Sequence, residues 1–139
     1  MNLVVPDASV LLKWVLPPDH EQDVEQALAL RRDIAWKKLD ARVPSLWYFE
    51  VGNTLARRYP AEAGRHLENL RLFGLQESAP DPTLEQDILR LTTEFGVTFY
   101  DAAYHALAIV HEGVFVTADE KYVQAVGGEP HVMHLRDWK

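Results

Sequence analysis

The 139-residue chain contains no cysteine, which removes disulfides, thiolate nucleophiles and cysteine-bound zinc from consideration. It also lacks a long hydrophobic run. The most apolar stretch near its start, residues 3–16, is broken by Pro6, Asp7, Ser9 and Lys13, with no basic region ahead of it. That stretch reads neither as a signal peptide nor as a membrane span, which needs about 20 apolar residues. A soluble, cytoplasmic protein with no membrane partner is therefore expected. Positive charge is scarce as well, with 14 Lys and Arg against 21 Asp and Glu and a formal net charge of −7. This balance argues against a protein whose whole surface grips nucleic acid, but it leaves room for a small site acting on RNA.

What is present is ordinary for a globular protein. The chain is 47% hydrophobic and 25% charged, with 7 Gly and 8 Pro, which is wrong for disorder, collagen or low complexity. Its length suits one domain, residues 1–139. Asn2 to Pro6 is too short for a helix and reads as a buried strand, with Asp7 and Ser9 ready to start a helix from Ala8 to Leu16. Further helices are expected over 21–32, over 46–59 with Ser45 as cap, from Pro60 to Gly74, from Asp81-Pro82 to Gly96, and over 98–111. Short strands fit 41–44, 75–79, 114–117 and 131–135, with a small helix over 120–126. Strands alternating with helices at this spacing imply an α/β fold with a mainly parallel central sheet flanked by helices.

In such a sheet, ligands bind beyond the carboxyl ends of the strands. Asp7 and Asp119 each follow an apolar strand and precede a helix, so they approach one another if those two strands are neighbours. Asp101 falls in the first turn of a helix, and Glu50 lies inside another with Asn53 one turn later. Read singly, each has an ordinary explanation. Asp7 and Asp119 cap helices, Thr98-x-x-Asp101 matches a capping box, and Glu50 is a surface glutamate. Brought into one cleft, four carboxylates would repel until a cation compensated them, and a donor set of oxygens suits Mg²⁺ or Mn²⁺ rather than zinc. His105, one turn after Asp101, is an alternative ligand, although a contact within its own helix is the favoured role.

These residues give the chain its resemblance. Val4-Val5-Pro6-Asp7-Ala8-Ser9, Pro44-Ser45-Leu46 leading to Glu50-Val51-x-Asn53-x-Leu55, Tyr100-Asp101-Ala102-Ala103-Tyr104 and Val116-Thr117-Ala118-Asp119 together resemble a PIN domain, and most of all the VapC-type toxins of toxin-antitoxin pairs. The resemblance runs nearly end to end. It implies that Asp7, Glu50, Asp101 and Asp119 hold Mg²⁺ or Mn²⁺ and carry catalysis, with Ser9, Asn53 and Thr117 as neighbours that orient them. It implies a metal-dependent endoribonuclease that hydrolyses RNA to a 5′-phosphate and a 3′-hydroxyl, forms a homodimer, and is inhibited by a small VapB-like antitoxin.

Leu46-Trp47-Tyr48-Phe49 advances by about 100° per residue, so its large groups cannot all face one core. With Trp14 and Val15 these residues are expected to form an apolar groove that a second subunit or a partner peptide covers. Substrate grip would come from Arg31-Arg32, Lys37-Lys38, Arg57-Arg58 or Lys121, and Tyr100 and Tyr104 are available to stack on bases. Two rival functions stand beside the nuclease. One is a non-catalytic interaction module in which the acids are only caps. The other is a phosphatase using Asp7 as nucleophile, which Ser9 disfavours because that pattern wants an aspartate two residues on.

Overall fold

A computed structural model describes residues 2–139. Five parallel strands form one sheet: β1 (Leu3–Pro6), β2 (Asp40–Pro44), β3 (Gln76–Ser78), β4 (Val114–Thr117) and β5 (Val132–His134), in the order β3-β2-β1-β4-β5. Seven helices connect them among the described residues: α1 (Ala8–Lys13), α2 (Val24–Ala35), α3 (Trp47–Arg58), α4 (Ala63–Phe73), α5 (Pro82–Phe95), α6 (Phe99–Val110) and α7 (Glu120–Ala125). Single 3₁₀ turns occupy Pro18–His20 and Leu135–Asp137. The chain therefore steps outward from β1 to β3, returns to β4 and continues to β5. Because parallel crossovers are right-handed, α1 to α4 cover one face of the sheet, and α5 and α6 cover the other.

Local chemistry sets most of the boundaries. Asp81 accepts a hydrogen bond from the Leu84 amide at 2.8 Å and starts α5, with Pro82 in its first turn. Gly96, at φ 67°, ends α5 in the left-handed conformation that a side chain would oppose. At Gly113, a Cβ would stand 2.6 Å from the Leu3 carbonyl oxygen, so only glycine lets the turn before β4 lie against β1. The core is built from Val4, Val5, Val43, Phe115 and Val116 of the sheet, Val10 and Leu11 of α1, Leu30 of α2, Val51 and Leu55 of α3, and the buried stretch Ala102–Ala108 of α6.

Several expectations are corrected. Ser45 does not cap α3: no side chain does, and Leu46 occupies the cap position in helical conformation. The Ser45 amide is instead tied to the Ser78 carbonyl across the β2–β3 edge. Pro60 lies in a turn ahead of α4 rather than in its first position. Helix α2 starts three residues later than expected because Asp23 is left-handed at φ 55°, which no helix interior accepts. Trp14 and Leu46 do not share a groove. Trp14 is buried, donates its indole N–H to the Ala27 carbonyl at 2.9 Å and packs on Phe73, whereas Leu46 lines a different groove beside α5 and α6.

Candidate active site

In a parallel sheet the strand order reverses beside the first strand, here between β1 and β4. Val4, Val5 and Pro6 pair with Val114, Phe115 and Val116, so the next residues, Asp7 and Thr117, emerge side by side at the carboxyl edge. The Asp7 amide completes the ladder by donating to the Val116 carbonyl at 3.2 Å.

Asp7 is held from three sides. One carboxylate oxygen accepts from the Ser9 hydroxyl and the Val10 amide, and the other accepts from the Thr117 hydroxyl. Ser9 in turn accepts from the Ala118 amide at 3.0 Å, and Thr117 accepts from the Asp119 amide at 3.0 Å. Both hydroxyls therefore have their proton committed to Asp7 and a lone pair committed to the loop that carries Asp119. That wiring fixes the relative orientation of two acids that lie 112 positions apart in the sequence.

Asp119 follows β4 and caps α7, accepting from the Lys121 and Tyr122 amides at 3.0 and 3.3 Å. Asp101 lies in the first turn of α6, whose N-cap Thr98 accepts from the Asp101 amide at 3.1 Å. The capping assignments are thus right as local structure. Glu50, half-buried in α3, accepts from the Tyr104 hydroxyl at 2.6 Å. Tyr104 is buried in α6 one turn after Asp101, and its phenol is pushed upward by burial and by Glu50. It is not free to stack on a base. Its role as the partner of Glu50 had one sequence signal, the three-residue spacing from Asp101 that puts both on one helix face.

The electrostatics link all four acids. Burial pushes the Asp7 carboxyl up to about 6, against the lowering effect of its hydrogen bonds, and the charge of Asp101 pushes the same way. Glu50 is raised by burial and then by Asp101, with the Tyr104 bond opposing. Asp101 is raised by burial and then by Asp119. Asp101 is therefore the hub of a field of like charges. The donor chemistry, carboxylate oxygens carrying uncompensated repulsion, fits a hard divalent cation. The side chains stand as an open set: among the described residues no three His, Asp or Glu are gathered closely enough to clasp an ion.

Other expected participants fall elsewhere. Asn53 is exposed, and among the described residues it hydrogen-bonds none of the four acids. His105 is fully buried and is neither a ligand nor a helix-contact residue. Its Nε2 lies 2.9 Å from the Pro130 carbonyl, an acceptor only, so Nε2 carries the proton and Nδ1 accepts from the Tyr122 hydroxyl at 2.8 Å. Burial lowers its pKa, consistent with a neutral ring. Of the basic candidates, Arg31 is turned inward to the Trp14 carbonyl, and Arg32 and Lys38 lie over the exposed Trp36 ring. Arg57, Arg58 and Lys121 are exposed.

A five-stranded parallel α/β sheet with Asp7 and Asp119 following the two strands at its reversal point is the frame of the site, and the sequence matches the PIN domain over residues 4–128. The chain belongs to the PIN domain family. It is 31% identical over 131 residues to Ribonuclease VapC3 of Pyrobaculum aerophilum, an alignment that spans 89% of this chain and 94% of that protein. Among solved structures it resembles PAE2754 from Pyrobaculum aerophilum, at 26% identity and a TM-score of 0.64 over 95% of this chain and 88% of that one. The fold also matches a toxin-antitoxin complex from Klebsiella pneumoniae, with a TM-score of 0.68 and 16% identity over 95% and 97% of the two chains.

Proposed function

We propose that residues 1–139 form a single PIN-like domain that is a Mg²⁺- or Mn²⁺-dependent endoribonuclease, the toxin of a type II toxin-antitoxin pair. The observation that supports this reading is the mutual repulsion of the acids: the charge of Asp101 acts on Asp7 and Glu50, and that of Asp119 acts on Asp101. The family relationship and the relative named as a ribonuclease support the same class of reaction.

The four carboxylates would hold the cation. Bound there, it would supply an acidified water and a Lewis acid for the phosphodiester. The remaining work belongs to the chain itself. Ser9 and Thr117 keep Asp7 deprotonated and correctly turned by donating to both of its oxygens, and Tyr104 steadies Glu50. No Ser, Cys or His nucleophile is required, which fits a chain without cysteine whose His105 is spent on Tyr122 and Pro130.

Partner surfaces accompany the site. Tyr48 and Phe49 form an edge-to-face pair at 5.5 Å, with Phe49 74% exposed, and a second copy of the chain would cover them. A separate cavity of about 360 Å³ between α1, α2 and α4 is lined by Trp14, Val15, Phe73, Arg31, Arg65 and His66. It suits an amphipathic antitoxin segment carrying acidic groups. No described helix is long and apolar enough to cross a membrane, and the cytoplasm is the compartment in which RNA and an antitoxin would both be met.

Cleavage-end mapping after expression tests the reading, with wild type beside Asp7→Asn. Metal-dependent cleavage that leaves 5′-phosphates and disappears in the variant is expected. Full activity in excess EDTA, or in folded Asp7→Asn, would overturn the proposal. Turnover of phosphomonoesters with RNA spared would favour the phosphatase, and absence of any turnover would favour a binding module.

A further inference from the structure

Next to the acids lies a groove of about 210 Å³ whose lining is almost entirely apolar: Pro44 and Leu46 at the end of β2, Pro80 and Ile88 on the α5 side, and Tyr100 and Ala103 on α6. It opens at the same carboxyl edge of the sheet as Asp7 and Asp119. Its walls are continuous with the site. Tyr100 is the residue before Asp101, so their Cα atoms are about 3.8 Å apart, and Ala103 precedes the Tyr104 that bonds Glu50. Tyr100 is 63% exposed, leaving a broad aromatic face at the rim.

We propose that this groove is a subsite for one unpaired nucleobase of the RNA substrate, the base next to the phosphate that is cut. The inference rests on the nuclease reading above and adds where on the protein the base beside the cut is held. A nucleobase is flat, has an apolar face and is of a size that such a groove holds. Stacking against Tyr100 and the proline and leucine walls would secure it. The polar groups that its lining side chains offer are the hydroxyls of Ser45, Ser78 and Tyr100, too few to read more than a splayed base. A paired base could not enter.

The test uses the whole protein with Mn²⁺ and an RNA oligonucleotide cut at one mapped linkage, synthesised intact or with an abasic residue on either side of that linkage. Wild type should lose about fivefold or more in kcat/KM when the base on one side is removed, and little when the other is. Tyr100→Ala should lose a similar factor on intact RNA and nothing further on that abasic substrate, the signature of a shared interaction. Ser45→Phe, which fills the groove from an exposed position, should behave the same way. Equal cleavage of intact and abasic RNA by wild type overturns the subsite while sparing the nuclease. So does undiminished discrimination in both variants, and so does a halving of the solution mass by Tyr100→Ala with discrimination intact, which would make the groove a contact between copies. Absence of any cleavage by wild type overturns the nuclease reading and the subsite with it.

Discussion

At the scale of single residues, Asp7 shows how a functional group strains the fold that carries it. Its folded-state carboxyl takes up a proton near pH 6 rather than near the ordinary 3.8. Between those values the folded chain binds more protons than the unfolded one, so the stability of metal-free protein falls as pH rises through this window and stays low above it. The shift corresponds to roughly 3 kcal/mol. Asp7→Asn should flatten the pH dependence of metal-free melting between pH 4 and 6, and at pH 7 it should melt no lower than wild type even though cleavage is lost. Thermal denaturation across pH checks this, and an unchanged pH profile would contradict it. Tyr104 makes a second case. Tyr104→Phe removes one hydroxyl and keeps the ring, so it should leave the fold intact while lowering metal affinity or turnover on the order of 10- to 100-fold. Activity titrated against Mn²⁺ separates this from a packing effect, which would not move the metal requirement.

At the scale of elements, the connection before β4 is the tightest point. Because Gly113 leaves no room for a Cβ beside the Leu3 carbonyl, Gly113→Ala must push β1 and β4 apart, and a loss of about 1–3 kcal/mol in denaturant unfolding is expected. Since those strands carry Asp7 and Thr117, activity should fall along with stability. By contrast, Asp81→Ala removes only a helix cap and should cost about 1 kcal/mol in the same measurement.

The elements were legible in the sequence wherever the signal was local. Asp81-Pro82 with Gly96 bracketed α5, and the apolar runs ending at Asp7 and Asp119 placed β1 and β4. Distant geometry broke the expectations. Ser45 looks like a cap until its amide is claimed by Ser78, and His105 looks like a ligand until Pro130 and Tyr122 meet its ring from far along the chain. The acids were visible as residues. Their mutual field required the strand order, and the tie between Tyr104 and Glu50 required two helices to pack.

At the scale of the whole molecule, a net charge of −7 and acids whose charges raise the pKa of Asp7, Glu50 and Asp101 work against any polyanion unless a cation intervenes. Mn²⁺ should therefore raise the melting temperature in proportion to the logarithm of its concentration, because it binds the folded state alone. Asp101→Asn, at the hub of the cluster, should blunt that rise. Light scattering should give twice the chain mass of 15.9 kDa for wild type, and the exposed Phe49 makes Phe49→Ser the variant that should bring it back to one.

The hydroxyl of Thr117 reaches back to Asp7 across 110 positions of chain. A growing polypeptide thus carries its earliest acid for most of synthesis without the partner that orients it. Until the fourth strand has left the ribosome and slid in beside the first, the nascent protein holds that acid with its Thr117 side unfilled.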